Sequence, residues 1–505
     1  MDITVLDIFE KSCHEYQNKT LFKDQFSSVS YVEAQRLSKS IATSLLQKVN
    51  VKNNPIVVFI DRNIESLITF LGITYSGNFY APIDINQPKE RVEKILNKLQ
   101  PSILINATKK EKLDYGNDKC PLFNYKELLD IKIDEKLLNQ VRESMIDTDP
   151  LYAIFTSGST GTPKGVLIKQ YAVLDMVNQF KKEFHFDENN IFGNQAPFDF
   201  DVSVKDIYST LLNGATLIVI PKVCFMFPTK LIEYINENKI NTAIWATSVF
   251  RIVENVKGLE KDKMQTLKLA MFSGEVMPTK VLNYWRKNQP DIQYVNLYGP
   301  TEITCNCTFY KVEKEFDDKD TLPIGKAFRN TEILLLDNED KLITEANIQG
   351  EICVRGSSLA LGYYNDPEIT AKAFVQNPLN KSYEEKIYRT GDLAEYNELG
   401  ELIFIGRKDH QIKHMGHRIE LAEIEKLANS VDFINASVCV YNEEREKIVM
   451  FYESKEDDNK KVYLTLKELL PKYMIPNEMI WYEKLPVTKN SKIDRVKLKG
   501  IHCGA

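Results

Sequence analysis

Residues 151–166 read "LYAIFTSGSTGTPKGV". Strand-forming residues from Tyr152 to Phe155 give way to hydroxyls and glycines that end at Pro163 and Lys164. Glycine-rich backbone can turn several amides toward one anion, because no Cβ blocks the approach. Thr156, Ser157, Ser159, Thr160 and Thr162 add hydroxyl donors, and Lys164 adds a positive charge. That chemistry suits a grip on polyphosphate. Composition alone favours a solvent loop, since Gly, Ser and Thr dominate turns for local reasons. The stretch is not a P-loop of the form G-x-x-x-x-G-K-[ST]. Counted from Gly158, that spacing puts Pro163 where glycine belongs and Gly165 where the hydroxyl belongs.

Outward from this stretch the chain alternates. "PIVVFI" (55–60) and "PSILIN" (101–106) read as buried strands, whereas "SLITFLGITYSG" (66–77) and "PKERVEKILNKLQ" (88–100) carry helical spacing. The alternation returns over 201–300, where "ATLIVIP", "TAIWAT", "LKLAMFSG" and "IQYVNLYG" are short strands between helical segments. This pattern predicts α/β layers with parallel strands. From about 323 the texture becomes all-β. "TEILLLDNEDKLI" predicts a hairpin turning at Asn338, Glu339 and Asp340, and "GEICVRG" continues the patch. After Gly406 the chain turns polar and basic and resumes as a small α+β unit. The expected division is residues 1–408 and 409–505.

Composition frames these elements. A chain of 505 residues suggests roughly two to four core units. With 43% hydrophobic and 27% charged residues it has an ordinary soluble balance. A net charge of −6 carries no electrostatic footprint for nucleic acid. "MDITVLDIFEK" has acids where a signal peptide needs basic residues. Apolar runs such as "LIVIP" (217–221) are far below the ~20 residues that span a bilayer. A cytoplasmic protein without membrane insertion is expected. Cys13, Cys120, Cys224, Cys353, Cys439 and Cys503 are scattered, against a disulfide framework. Cys305 and Cys307 have no second pair at zinc-site spacing and read as small apolar residues. His410, His414 and His417 lie close together, but Gly416 and the mixed pattern predict a loop or strand rather than a metal-binding helix.

Further islands stand out: "NLYGPTEITCN" (296–306), "YRTGDLA" (388–394), "GELIFIGRKDHQIKHMGHRIEL" (400–421) and "LPVTKNSKIDR" (485–495). Each alone has a dull explanation as a turn, a cap or a solvated charge run. In this order, with the glycine-rich stretch, they resemble the adenylate-forming superfamily of acyl-CoA synthetases, luciferases and amino-acid adenylation domains. The resemblance covers essentially the full length. "NQAPFDFDVSVKDIY" (194–208) and "MFSGEVMP" (271–278) are similar to amino-acid adenylation enzymes, particularly the stand-alone D-alanine–carrier-protein ligases.

The resemblance implies a large N-terminal domain of layered α/β subdomains plus a distorted β-barrel. A small mobile α+β C-terminal domain follows, hinged near Asp409. It implies ATP and Mg²⁺ as cofactors. Thr156, Ser157, Gly158, Ser159, Thr160, Gly161 and Lys164 would hold the ATP β- and γ-phosphates. Glu302 is assigned to Mg²⁺, which suits a hard cation seeking carboxylate oxygen. Thr301, beside Gly299, would touch the α-phosphate. Asn296 would read the adenine amino group, with Tyr298 on one side of the ring and Gly274 and Glu275 on the other. Asp392 would accept both ribose hydroxyls, with Arg407 assisting. Lys492 would be the catalytic cation, since joining a carboxylate to the α-phosphate calls for fixed positive charge at the bridging oxygens. A rotation about Asp409 would then withdraw Lys492 and bring Lys413, within "KHMGHR", over the path of a thiol. The acceptor implied is a carrier protein's phosphopantetheine; an acyl-CoA ligase would share every nucleotide motif.

By the same resemblance Asp201 would hold the substrate ammonium. Val202, Lys205, Trp245, Met271, Ser273, Leu297, Cys305 and Asn306 would line the side-chain pocket. Trp245, Met271 and Leu297 are bulky and favour a small substrate such as D-alanine. Two departures cut against it: the D-alanine ligases usually carry cysteine at the place of Ser273 and an apolar residue at that of Lys205. A lysine facing an apolar pocket must find an anion or suffer desolvation. Either Lys205 turns to Asp206 or another nearby acid, leaving an alanine-sized pocket, or it meets a carboxylate or other polar group of the substrate. Overall similarity favours the first; serine or an acidic amino acid is the second expectation.

Overall fold

The fold is taken from a computed structural model that describes residues 2–49, 51–117, 119–158, 162–408, 411–443, 445–487 and 493–503. The chain divides into two compact units. The first comprises residues 1–85, 99–154 and 166–406, and the second 86–98, 155–165 and 407–505.

The first unit is built on three sheets. A nine-stranded sheet takes its central strands from the second half of the unit, in the spatial order Gln293–Tyr298, Leu269–Ser273, Thr242–Ala246, Ile191–Asn194, Thr216–Val219. These neighbours run parallel, as expected where helices connect consecutive strands. A seven-stranded sheet centres on Pro150–Thr156, Phe79–Asp84, Pro55–Ile60 and Ile103–Asn106. Pro55–Ile60 is buried along its whole length, which explains its continuous apolar run. The helix Ile64–Tyr75 is likewise buried at every position but Glu65, and Asn63 caps it by accepting from the Ser66 amide. The all-β part is a five-stranded sheet of Thr331–Leu336, Gly350–Gly356, Lys386–Tyr396, Phe374–Gln376 and Leu402–Arg407. Its hairpin turns where expected, with the Asp337 amide donating to the Lys341 carbonyl and Asp340 at φ 63°.

Two of these features position the site. The helix Val202–Asn213 ends at Gly214, which has a left-handed φ of 63°. A Cβ there would sit 2.1 Å from the Tyr16 ring, so glycine is required twice over. The nine-stranded sheet, secondly, buries a different core on each face. Ile244, Met271, Val295 and Leu297 belong to one core; Ala243, Trp245, Ala270, Phe272 and Tyr294 belong to the other.

In the second unit a hairpin of Gln411–His414 and His417–Glu420 leads into the helix Leu421–Asn429. A three-stranded sheet follows, Ala436–Asn442, Lys447–Glu453 and Glu478–Tyr482. Ile419, Ile424, Ile448, Met450 and Leu466 form its core. Among the described residues no helix is long and apolar enough to cross a membrane.

Candidate active site

One loop carries much of the chemistry. The strand Gln293–Tyr298 runs into Gly299, and a 3-10 turn over Thr301–Ile303 follows. A Cβ on Gly299 would lie 2.6 Å from the Asn306 Cα and 2.7 Å from the Cys305 carbonyl oxygen, so the loop can fold back on itself only at glycine. Thr304 and Cys305 adopt left-handed φ of 57° and 73°. Conformations of this kind cost about 1–3 kcal/mol each and persist where the surroundings over-determine them.

Glu302, 1% exposed, accepts a hydrogen bond from the Tyr363 phenol at 2.7 Å, and its own carbonyl accepts from the Ala360 amide at 2.9 Å. A buried carboxylate oriented in this way fits a hard divalent cation. Five residues before the turn, Asn296 donates from Nδ2 to the Pro323 carbonyl at 2.8 Å. That bond turns Oδ1, an acceptor, toward whatever donor approaches. The Tyr298 phenol donates to Asp392 Oδ2 at 2.5 Å. Burial first, and then the Asp392 charge, push the phenol well above its ordinary pKa, so it stays a neutral donor. The Asp392 amide is held by Thr390 Oγ1 at 2.9 Å, and that hydroxyl donates to the Ile352 carbonyl. Gly274 has φ 97°, and the Glu275 carbonyl accepts from Thr247 Oγ1 at 3.2 Å.

The helix Val202–Asn213 supplies a second group. Asp201 precedes its first turn and Lys205 stands one turn on, so i, i+4 spacing puts both on one face. Lys205 is 1% exposed and donates to Asn306 Oδ1 at 2.7 Å and Ser273 Oγ at 3.3 Å. It does not turn to Asp206: that carboxylate accepts from Asn194 Nδ2 at 2.9 Å, and burial pushes it up to about 7. Desolvation lowers the Lys205 ammonium from its usual range. Cys305 Sγ donates to the Asp201 carbonyl at 2.8 Å, and burial pushes its thiol well above the ordinary value, consistent with an unreactive packing residue. Met271 and Leu297 share the core on this face of the sheet, and Val202 is half-buried.

Trp245 corrects the expected pocket. It lies in the opposite core and donates from its indole to the Gly193 carbonyl at 2.7 Å. Side chains along a strand alternate, so Ile244 takes the Met271 face in its place. Two residues that the sequence did not single out enter instead. Tyr363 orients Glu302, and Tyr152, fully buried, has a hydroxyl without a hydrogen-bond partner among the described residues. Tyr152 shares Cys305 and Asp201 as neighbours with Lys205. Within strands of aromatic and aliphatic residues neither tyrosine gives a signal; only its phenol would have marked it.

In the second unit Ser157 donates to the Arg418 carbonyl at 2.6 Å, and the Gly158 amide donates to Glu423 Oε2 at 3.2 Å. Glu423 also pairs with Arg91 at 2.6 Å, both nearly inaccessible. Thr156 ends one strand, Lys164 begins the next and Arg407 ends Leu402–Arg407. Lys413 lies across the hairpin from Arg418. His414 faces His417, whose ring stacks on Tyr473 at 3.7 Å, so these imidazoles pack in a hairpin rather than line a helix face. Ser159, Thr160, Gly161, Asp409, His410 and Lys492 lie outside the described residues.

The family described as "AMP-binding enzyme" matches residues 9–364. Bacitracin synthase 1 of Bacillus licheniformis is 32% identical over 505 residues, 98% of this chain and 9% of its own length. A D-alanine–D-alanyl carrier protein ligase of the same species is 31% identical over 507 residues, covering 98% of this chain and 99% of the ligase. The chain therefore spans a small part of the synthase and nearly all of the ligase. A solved NRPS protein containing adenylation and PCP domains, bound to a vinylsulfonamide inhibitor, has a TM-score of 0.86 and 25% identity, over 98% of this chain and 84% of that one. With the family model matched over residues 9–364 and relatives matched over nearly the whole chain, the chain belongs to the AMP-binding enzyme family.

Proposed function

We propose that the protein activates an amino acid with ATP as the aminoacyl-AMP, releasing pyrophosphate, and then passes the acyl group to the phosphopantetheine thiol of a carrier protein. The observation that carries this reading is the loop 296–306. It carries Asn296 and Tyr298 at its start, the latter bonded to Asp392, Glu302 in its middle, bonded to Tyr363, and at its end Asn306, which accepts from Lys205.

In the first half-reaction the substrate carboxylate attacks the α-phosphorus and the bond to the pyrophosphate oxygen breaks. Asp201 holds the α-ammonium, and the position of the nucleotide is set by Asn296 Oδ1, by Tyr298 with Gly274 and Glu275, and by Asp392 with Arg407. Thr156 to Lys164 receive the departing phosphates, Thr301 touches the α-phosphate, and Lys492 neutralises charge at the bridging oxygens. Mg²⁺, which Glu302 would hold, supplies further neutralisation of the phosphates when bound. In the second half-reaction the thiol sulfur attacks the acyl carbon, AMP leaves and the thiol proton passes to solvent. A hinge at Asp409, between a body of residues 1–408 and one of 409–505, would exchange Lys492 for Lys413 between the two steps. A cytoplasmic setting belongs to the same proposal. D-alanine is the substrate named for the ligase relative, and it is the small amino acid to test first.

ATP–pyrophosphate exchange against both enantiomers of the common amino acids, and against acids lacking the α-amino group, tests the reading. Exchange should depend on the α-amino group and be lost in Asp201→Ala. An active Asp201→Ala variant, or a wild type that prefers acids without the amino group, contradicts it.

A further inference from the structure

Lys205 is a buried cation whose known partners are neutral. Its two acceptors are the Asn306 amide oxygen and the Ser273 hydroxyl, and it makes no ion pair among the described residues. A lysine carries three donors, so two bonds leave one unused. The groups around it compound the imbalance. Asn306, with Oδ1 occupied by Lys205, has Nδ2 left to donate. Ser273, accepting from Lys205, keeps its own proton to give. The Tyr152 hydroxyl, fully buried, has no partner among the described residues. The donors of Lys205, Asn306, Ser273 and Tyr152 thus outnumber the acceptor left unmatched on the same helix, Asp206 Oδ1, while Met271 and Leu297 in the same core offer nothing. Burying such donors unmatched is costly, and a ligand that supplies only acceptors relieves all of them at once.

The spacing narrows the ligand. Asp201 and Lys205 stand four residues apart, about 6 Å along the helix axis, with opposite charge. A molecule complementary to that pair has, besides the carboxylate that is to be activated, an ammonium and a second anion a few ångströms from it. Alanine has a methyl group where the anion would be, and would leave Lys205 as it is.

We propose that the side-chain pocket takes an amino acid with an anionic side chain, a 2-amino dicarboxylic acid whose second carboxylate is received by Lys205 and the donors of Asn306, Ser273 and Tyr152. This rests on the reading of the protein as an amino-acid-activating enzyme and goes on to name the class of its substrate.

The test is ATP–pyrophosphate exchange with both enantiomers of alanine, serine, aspartate, asparagine, glutamate and glutamine, and with acids lacking the α-amino group, on wild type, Lys205→Met and Tyr152→Phe. Wild type should favour a dicarboxylic acid over alanine by at least about 100-fold in kcat/KM, the scale of a site built to pair a charged group. Lys205→Met should erase that preference, chiefly through a raised KM for the dicarboxylic acid. Tyr152→Phe, a milder change that decides the matter if Lys205→Met does not fold, should raise KM for the dicarboxylic acid alone by about 3- to 10-fold. Dicarboxylic acids inert in a wild type that activates alanine overturn the inference and leave amino-acid activation standing. Exchange only with acids lacking an α-amino group overturns both.

Discussion

The phenol of Tyr363 donates to Glu302 Oε1 at 2.7 Å, joining residues 61 positions apart in the buried interior of the first unit. Hydrogen bonds behind a metal-ligating carboxylate set its orientation, and losing one typically costs 10- to 100-fold in metal affinity or activity. Tyr363→Phe should therefore raise the Mg²⁺ concentration that half-saturates pyrophosphate exchange by about 10-fold. An unshifted Mg²⁺ titration would remove Glu302 from the metal role.

Tyr298 and Asp392, at 2.5 Å, form a second such pair. Asp392→Asn removes the charged acceptor and weakens the grip expected on the ribose. A hydrogen bond to a charged group is worth about 1.5–3 kcal/mol, so KM for ATP should rise roughly 10- to 100-fold while KM for the amino acid moves little. Steady-state kinetics with each substrate varied in turn reads this directly. Equal effects on both would place Asp392 in the framework rather than at the nucleotide.

Lys492→Ala should abolish adenylate formation, by about 3–4 kcal/mol in the activation barrier, and spare thioester formation from adenylate supplied ready-made. Single-turnover assays of the two half-reactions separate these effects. If both fell equally, the proposed exchange of lysines between steps would be wrong.

His417 gives a pH signature. Burial, with His414 and Arg91 adding charge repulsion, pushes its imidazole from 6.5 down to about 3. The folded state therefore resists a proton that the unfolded chain accepts. Its stabilising contribution is present in full above about pH 6.5 and is lost as pH falls toward about 3. Urea midpoints measured across that window should fall more steeply for wild type than for His417→Phe, by an amount on the order of a few kcal/mol at the acid end. Parallel curves would show that the ring is not the titrating group.

Much of this was legible in the chain. "PIVVFI" is a strand because six apolar residues in a row can be buried only between two covered faces, and Pro55–Ile60 is that strand. Asn296, Tyr298 and Glu302 could be read as a group because a single short loop carries them. Trp245 could not be placed in the same way. Alternation says that neighbours point oppositely, but not which face meets which core, and the face assigned to the pocket belongs to Ile244.

The sequence by itself determined the order of strands and helices and the inventory of carboxylates, hydroxyls and lysines, because these depend on local periodicity and on residues adjacent in the chain. Only the tertiary structure decided which of them meet. Lys205 finds its acceptors 68 and 101 residues away, in Ser273 and Asn306, rather than in the neighbouring Asp206. Glu302 is oriented by a tyrosine from a distant edge strand. Such pairings are set by how the helix Val202–Asn213 and the three sheets stack, and a buried group takes the partner that the stacking brings, near or far in sequence.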